Sequence, residues 1–211
     1  MGTVRVSQLV PRETDSFDPE RVREAEDRFR SVLTPDEVVA ALVADDRSTL
    51  VEIGAGPGFF TLPAARMLTG GRVFALDAVQ GYLDLLRRRA SREGLGNVTM
   101  LHIGGTELPL EDGVADAVLV TRVFRDIPHW LSLRREVPRI LRPGGRLCVM
   151  EWAEGVALQG PKLNIWVDPD ELAQIVEQSG FHVTDVLKEP KPFFRILATR
   201  NRVTPPEVRE A

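Results

Sequence analysis

Three glycines alternate with other residues directly after the first apolar segment, in the stretch Val51–Phe60 (VEIGAGPGFF). Glycines let the backbone turn sharply and let a ligand approach it without a Cβ atom in the way. A dinucleotide-binding fingerprint would place its third glycine at position 59, where this chain has Phe59. The stretch also lacks the Gly-Lys-Ser/Thr ending of a phosphate-binding loop. It therefore predicts a site that makes close backbone contact with a ligand but holds no diphosphate.

Two carboxylates accompany this glycine loop. Asp77 ends the second predicted strand, 23 residues after Gly54, where a carboxylate can accept hydrogen bonds from both hydroxyls of a ribose. Glu52 precedes Gly54 by two residues and can orient an ammonium group, directly or through water. We expect Asp77 to have little structural purpose and interpret it as a functional residue. A nucleoside joined to an amino acid suits both carboxylates, and S-adenosylmethionine is such a molecule.

Strand-like and helix-like segments alternate through most of the chain, which predicts parallel strands joined by right-handed crossovers. The predicted strands are Leu50–Ile53, Arg72–Leu76, Val98–Ile103, Ala117–Val120 and Arg146–Trp152. Helices are predicted to start at Asp18–Pro19, at Thr34 with a capping box to Glu37, at Gln80, at Trp130 and at Asp168. The helix from Trp130 is expected to end at Leu141, and Arg142–Gly145 to form a turn before the fifth strand.

The end of the chain has a different pattern. Segments Phe181–Leu187 and Phe193–Thr199 are separated by only five residues, too few for a parallel crossover, so they predict an antiparallel hairpin at the sheet edge. The predicted fold is α/β, with a doubly wound, mainly parallel sheet. We divide the chain into an N-terminal arm and helix (1–33), one domain (34–200) and a tail (201–211).

Composition excludes several classes of protein. Apolar residues make up 43%, charged residues 27%, and the net charge is −4, which is typical of a globular cytoplasmic protein and argues against a dedicated nucleic-acid module. The chain has no apolar run long enough for a membrane span and no signal-peptide pattern. Its single cysteine, Cys148, excludes an internal disulfide and a Cys-based zinc site, and we expect no metal.

The chain resembles class I S-adenosylmethionine-dependent methyltransferases, of the small bacterial type similar to the ubiquinone/menaquinone C-methyltransferases. The similarity runs from about Thr34 to Arg200, and four segments carry it in this order: Val51–Gly58, Leu108–Gly113, Arg139–Gly145 and Ser179–Phe181. The resemblance implies a seven-stranded sheet that holds S-adenosylmethionine over the carboxyl ends of the first, second and fourth strands. S-adenosylhomocysteine would be the product.

The resemblance also implies roles for individual residues. Glu52 and the backbone of Gly54, Ala55, Gly56 and Gly58 would hold the methionine part, and Asp77 the ribose. Ala78 and Val79 would line one face of the adenine, the Gly105 N–H would meet a ring nitrogen, and Thr121 would complete the cofactor site. Relatives commonly carry an Asp where this chain has Gly104. Recognition of the adenine amino group could therefore shift to Thr106 or Glu107.

The acceptor side is expected in the loop from Thr121 to His129, where Arg125 and Asp126 are the predicted catalytic residues. Many relatives carry a His–acid pair there, and an aromatic-His-aromatic triplet where this chain has Phe193–Phe194–Arg195. Arg125 and Arg195 facing one pocket would suit an anionic acceptor. The alternative is that both arginines are solvated or pair with Asp126 and Glu189.

The leading functional prediction is methyl transfer to a small molecule, with no nucleic-acid or membrane partner. A catalytically silent S-adenosylmethionine-binding subunit or sensor is the alternative, because of Gly104 and the missing acceptor-side histidines. Phe59 argues against an NAD-dependent oxidoreductase. The acceptor would be covered by residues 1–33, by Trp166 or by a second subunit, so a homodimer is one option.

Overall fold

The structure, a computed structural model, describes residues 19–31, 33–104, 107–121, 123, 130–152, 167–188 and 193–202. Its helices are α1 (Pro19–Arg30), α2 (Pro35–Leu42), α3 (Thr61–Met67), α4 (Gln80–Arg92), α5 (Trp130–Ile140) and α6 (Pro169–Gln178). Its strands are β1 (Thr49–Ile53), β2 (Arg72–Asp77), β3 (Val98–His102), β4 (Ala115–Thr121), β5 (Leu141–Trp152), β6 (Phe181–Leu187) and β7 (Phe193–Arg200).

The strands form one seven-stranded sheet in the order β3-β2-β1-β4-β5-β7-β6. Strands β1 to β5 pair in parallel, whereas β7 lies antiparallel between β5 and β6. The predicted α/β fold, its seven-stranded doubly wound sheet and its antiparallel C-terminal hairpin are therefore confirmed. After β1 the chain continues into one half of the sheet, and after β4 into the other. Open α/β sheets bind their ligands at the carboxyl ends of two such neighbouring strands.

Helices cover both faces of the sheet, and alternate residues of β4 pack against each layer. Val118 and Val120 lie in a buried cluster that includes residues of α5 and α6. Ala117 and Leu119 lie in the opposite cluster, with residues of α2 and α3 and with Phe29 of α1. The central strands are thus apolar on both faces because both are buried. No helix in the described parts of the chain is long and apolar enough to cross a membrane.

The predicted capping box at Thr34 was wrong. Helix α2 does begin after Thr34, but the Thr34 side chain makes no capping hydrogen bond, and only its backbone carbonyl accepts bonds from the first turn. The equivalent prediction for α6 is confirmed, because Asp168 Oδ1 accepts from the N–H groups of Asp170 at 2.8 Å and Glu171 at 2.9 Å. The Asp168 carboxylate thus accepts the capping hydrogen bonds that the Thr34 hydroxyl does not accept.

The predicted start of the fifth strand was also wrong. Strand β5 begins at Leu141, which pairs with Ala115, and the pairing resumes with Arg146 opposite Ala117. The segment between these pairs is therefore an irregularity inside the strand, not a turn before it. Gly144 takes a φ of +79° there, a conformation that favours glycine.

Candidate functional site

The glycine loop between β1 and α3 is held tightly by protein atoms. Gly54, Gly56 and Gly58 all have positive φ. A Cβ added at Gly54 would lie 2.3 Å from the Thr121 carbonyl oxygen, and one added at Gly58 would lie 2.4 Å from Leu86 Cδ1. Glycine is thus required for the turn itself and for close approach of β4 and α4.

Four backbone N–H groups of this loop, those of Gly54, Ala55, Gly56 and Gly58, donate to acceptors inside the protein. The N–H groups of Gly54 and Ala55 both donate to the Leu76 carbonyl, at 2.8 and 3.0 Å, and the Gly58 N–H donates to the Ala55 carbonyl at 3.1 Å. A phosphate-binding loop would point such groups at its ligand. The loop therefore offers shape and close contact, as the sequence predicts, and is not an anion cradle.

Asp77 joins this loop to the turn after β2. Its Oδ2 accepts from the Gly56 N–H at 2.7 Å and its Oδ1 from the Val79 N–H at 2.8 Å. The side chain is buried, with the residue 8% exposed. The expectation that Asp77 has little structural purpose was therefore wrong. A carboxylate offers about four lone-pair positions, so these bonds are compatible with further bonds from ligand hydroxyls.

Glu52 lies beneath the same loop and is 1% exposed. The hydroxyl of Thr61, the first residue of α3, donates to Glu52 Oε2 at 2.5 Å. This bond orients the carboxylate and offsets part of the cost of burying it. Sequence reasoning missed Thr61, because no local pattern of residues pairs it with Glu52.

Thr121 holds the loop from the β4 side. It is the last residue of β4 and is buried, and its hydroxyl donates to the Gly54 carbonyl at 2.9 Å. The predicted residues Glu52, Gly54 and Thr121 are thus brought together with Asp77 at the carboxyl ends of β1, β2 and β4.

The side predicted to hold the adenine is open. Ala78 is exposed, and His102 Nε2 lies 3.0 Å from its carbonyl oxygen, so this nitrogen carries the proton. Among the described residues, only His102 Cε1, at 3.9 Å, lies within 4 Å of a Cβ added at Gly104. Glu107 is exposed. Gly105 and Thr106 lie outside the described residues.

The polar groups around the glycine loop fit S-adenosylmethionine better than a nucleotide phosphate. Two buried carboxylates, Glu52 and Asp77, suit an ammonium group and a ribose diol, whereas the loop N–H groups needed by a diphosphate are engaged internally.

Comparison with known proteins agrees with the interpretation that these carboxylates belong to an S-adenosylmethionine site. A family model described as a methyltransferase domain matches residues 51–149, which include the glycine loop, Asp77 and Thr121. An uncharacterized methyltransferase of Mycobacterium tuberculosis is 34% identical over 163 residues, covering 75% of this chain and 59% of that protein. This chain contains a methyltransferase domain, matched over residues 51–149.

Further relatives of this methyltransferase domain carry different names. A demethylmenaquinone methyltransferase of Clavibacter sepedonicus is 34% identical over 54% of this chain and 44% of its own length. A ribosomal RNA small subunit methyltransferase G of Myxococcus xanthus is 36% identical over 49% of this chain and 46% of its own length. This chain thus spans well under two thirds of each of these relatives.

A solved structure shares the fold of the methyltransferase domain. It is a SAM dependent methyltransferase from Aquifex aeolicus, with a TM-score of 0.77 and 24% identity over 87% of this chain and 99% of that one.

The predicted catalytic residues Arg125 and Asp126 lie outside the described residues. Phe193 and Phe194 are core residues, 2% and 0% exposed, and Phe193 packs on Phe29 with ring centroids 5.1 Å apart. Arg195 is half-buried in β7, opposite Met150 of β5, and makes no ion pair with another described residue.

Hydrogen bonds join two of the segments that carry the methyltransferase resemblance, Leu108–Gly113 and Arg139–Gly145. The Arg139 guanidinium donates to the carbonyls of Leu108 at 2.9 Å and Leu110 at 2.7 Å, and to Asp112 at 2.8 Å. Glu136 accepts from Arg139 and, at 2.7 Å, from the Leu108 N–H. Arg139 and the Leu108 N–H hold the pKa of the Glu136 carboxyl below its ordinary value, although burial opposes them. Leu108–Gly113 and Arg139–Gly145 thus have a structural role.

Neither the cysteine nor a metal site adds chemistry to the described part of the methyltransferase domain. Burial raises the pKa of the Cys148 thiol to about 12, so it is not a nucleophile. No cluster of side chains among the described residues could hold a metal ion.

A cavity of about 440 Å³ lies between the first four helices, α1 to α4. Gly58 and Phe59 of the glycine loop line it, whereas Glu52 and Asp77 do not.

Proposed function

We propose that this protein transfers the methyl group of S-adenosylmethionine to a small-molecule acceptor. The observation that carries the proposal is the pair of buried carboxylates, Glu52 and Asp77, beside a glycine loop whose N–H groups are donated within the protein. When bound, S-adenosylmethionine supplies a methyl carbon made electrophilic by its sulfonium.

The chain's own residues would bind S-adenosylmethionine and position the acceptor next to its methyl group. Glu52 would bind the ammonium group of the methionine part, and Asp77 the two ribose hydroxyls. Ala78 and Val79 would contact the adenine, and the Gly105 N–H would donate to a ring nitrogen. Holding acceptor and methyl in line is worth about 7–11 kcal/mol in favourable cases, so positioning and exclusion of water would be the main contribution of the protein.

The acceptor side would use the loop after β4. In the proposed transfer, a nucleophilic atom of the acceptor would bond to the methyl carbon as the carbon–sulfur bond breaks. The electron pair of the broken bond would stay on sulfur, and S-adenosylhomocysteine would be the leaving group. If the acceptor atom bears a proton, Asp126 would take it and pass it to water. Arg125 and Arg195 would bind an anionic group of the acceptor. The lack of an ion-pair partner for Arg195 among the described residues supports that role.

The names of two relatives point to different kinds of acceptor, because one is a demethylmenaquinone methyltransferase and the other a ribosomal RNA methyltransferase. The net charge of −4 favours a small molecule, because RNA binding relies on neutralising phosphates. A homodimer and a cytoplasmic location stay predictions from the sequence.

Turnover assays with an acceptor panel test the proposal. Quinols, small carboxylates, small phosphate esters and 16S ribosomal RNA are incubated with the protein and S-adenosylmethionine, and S-adenosylhomocysteine is measured. We expect product with a small anionic acceptor, and a raised KM for it in Arg195→Gln. Arg72→Gln, which alters an exposed arginine at the far end of β2, is the control. Turnover with RNA alone would overturn the small-molecule proposal.

A catalytically silent S-adenosylmethionine-binding subunit is the second candidate, favoured by Gly104, where relatives commonly carry an Asp. It predicts tight binding of S-adenosylmethionine with no S-adenosylhomocysteine formed from any acceptor. Product with any member of the panel would exclude it.

A further inference from the structure

Helix α1 is tied to the glycine loop through a side chain of α4. The Arg89 guanidinium donates to both carboxylate oxygens of Glu26 in α1, with Nη2 lying 3.2 Å from Oε2. Its Nη1 also donates to the Pro57 carbonyl at 3.1 Å. Glu26 is 8% exposed, so this ion pair is far more shielded from water than an ordinary surface pair. One guanidinium thus joins α1, α4 and the loop.

The Arg89 bond acts on the same turn that Asp77 holds. Ala55 to Gly58 forms this turn, closed by the Gly58 N–H to Ala55 carbonyl bond of 3.1 Å. Within it, the Gly56 N–H donates to Asp77, and the carbonyl of the next residue, Pro57, accepts from Arg89. Asp77 therefore holds the turn through a backbone N–H group, and Arg89 holds it through a backbone carbonyl.

Helix α1 also packs on the residue that follows the turn. The Phe29 ring lies 5.3 Å from the ring of Phe59, between centroids. Phe59 in turn contacts Phe60 at 5.0 Å, edge to face. Such pairs add about 0.5–1.5 kcal/mol beyond burial. The contact places α1 against the loop at a second point, independent of Arg89.

We infer that Arg89 is a positioning residue of the cofactor site, and that α1 belongs to the unit that sets affinity for S-adenosylmethionine. By holding the Pro57 carbonyl, Arg89 keeps the turn in the shape in which the Gly56 N–H meets Asp77. Glu26 in turn orients the guanidinium with a bidentate bond. The inference rests on the proposed cofactor function of the loop.

A set of four variants separates positioning from simple stability. Arg89→Met removes both interactions, and Arg89→Lys keeps the charge but not the bidentate geometry. The exchange Glu26→Arg with Arg89→Glu restores an ion pair, but its carboxylate at position 89 cannot donate to the Pro57 carbonyl. Arg66→Met is the control, because it breaks the exposed Arg66–Glu93 pair between α3 and α4.

The measurements are urea unfolding and calorimetric titration of S-adenosylmethionine at a temperature where every variant is folded. We expect Arg89→Met to weaken binding about tenfold, Arg89→Lys to weaken it less, and Arg66→Met to leave it unchanged. The exchange should recover stability while binding stays weak.

Recovery of binding together with stability in the exchange variant would overturn the inference, as would unchanged binding in Arg89→Met or, if that variant does not fold, in Arg89→Lys. A wild type that does not bind S-adenosylmethionine at all would overturn the proposed cofactor function instead, so the two failures are distinguishable.

Discussion

The Gly56 N–H donates to Asp77 Oδ2 at 2.7 Å, which joins the turn after β1 to the end of β2. Because the Val79 N–H binds the other oxygen at 2.8 Å, a single carboxylate orients both turns of the proposed site. The residue assigned to the ribose therefore also shapes the loop assigned to the methionine part. Changes at Asp77 should affect binding of both parts of the ligand.

Gly54→Ala should destabilise the fold and weaken S-adenosylmethionine binding together. The added Cβ would lie 2.3 Å from the Thr121 carbonyl oxygen, at a φ of +82°. Gly94 has a φ of +69° but nothing within 4 Å of an added Cβ, so Gly94→Ala measures the cost of that conformation alone. We expect urea unfolding to give losses of about 1 kcal/mol for Gly94→Ala and about 2–4 kcal/mol for Gly54→Ala. Equal losses of unfolding free energy in the two variants would argue against a clash between the added Cβ and the Thr121 carbonyl.

Glu52→Gln should lower affinity for S-adenosylmethionine but not for 5′-methylthioadenosine, which lacks the amino-acid part. The glutamine keeps an oxygen that can accept from the Thr61 hydroxyl, so the variant removes charge with little change in packing. We expect Kd for S-adenosylmethionine to rise about tenfold, from the loss of a charge-assisted hydrogen bond. Calorimetry with both ligands is the check. The same loss for both would place Glu52 away from the ammonium group.

Gly104→Asp should strengthen binding of adenosine-containing ligands. None of the described residues blocks a side chain at position 104, because His102 Cε1, at 3.9 Å, is the only one of their atoms within 4 Å of an added Cβ. The new carboxylate could accept from the adenine amino group, and we expect about a tenfold lower Kd. Gly104→Ala is the matched control for the backbone. Equal affinities of the Asp and Ala variants would show that the adenine amino group lies elsewhere.

Glu136→Gln should destabilise the protein at neutral pH and much less in acid. The pKa of the Glu136 carboxyl is lowered in the folded protein from its ordinary value of 4.5, chiefly by Arg139. Its stabilisation is therefore fully present above the unfolded pKa and is lost as the pH falls through the folded pKa. We expect a deficit of about 1–3 kcal/mol at neutral pH.

Urea unfolding at about pH 7 and about pH 3, well below the ordinary pKa of 4.5, measures this difference. Glu177→Gln, an exposed position on α6, serves as the control. A deficit for Glu136→Gln that is the same at both pH values would contradict the assignment.

The sheet and the cofactor loop were predictable because their signals are local. Apolar segments alternate with capped helices, and the positive φ of Gly54, Gly56 and Gly58 agrees with the sharp turn that their spacing predicts. The contacts that position the site were not predictable, because they join a side chain to a group on another element of the fold. Arg89 reaches Pro57 across 32 residues, and a hydroxyl nine residues away orients Glu52. No local pattern of residues specifies such pairings.

The central claim is tested most directly by calorimetric titration of S-adenosylmethionine into the wild type and Asp77→Ala. The wild type should bind at one site per chain, and Asp77→Ala should bind about 100-fold more weakly, because it loses two charge-assisted bonds to the ligand and the bonds to Gly56 and Val79. Absence of binding to the wild type, or equal affinity of the two proteins, would contradict the account.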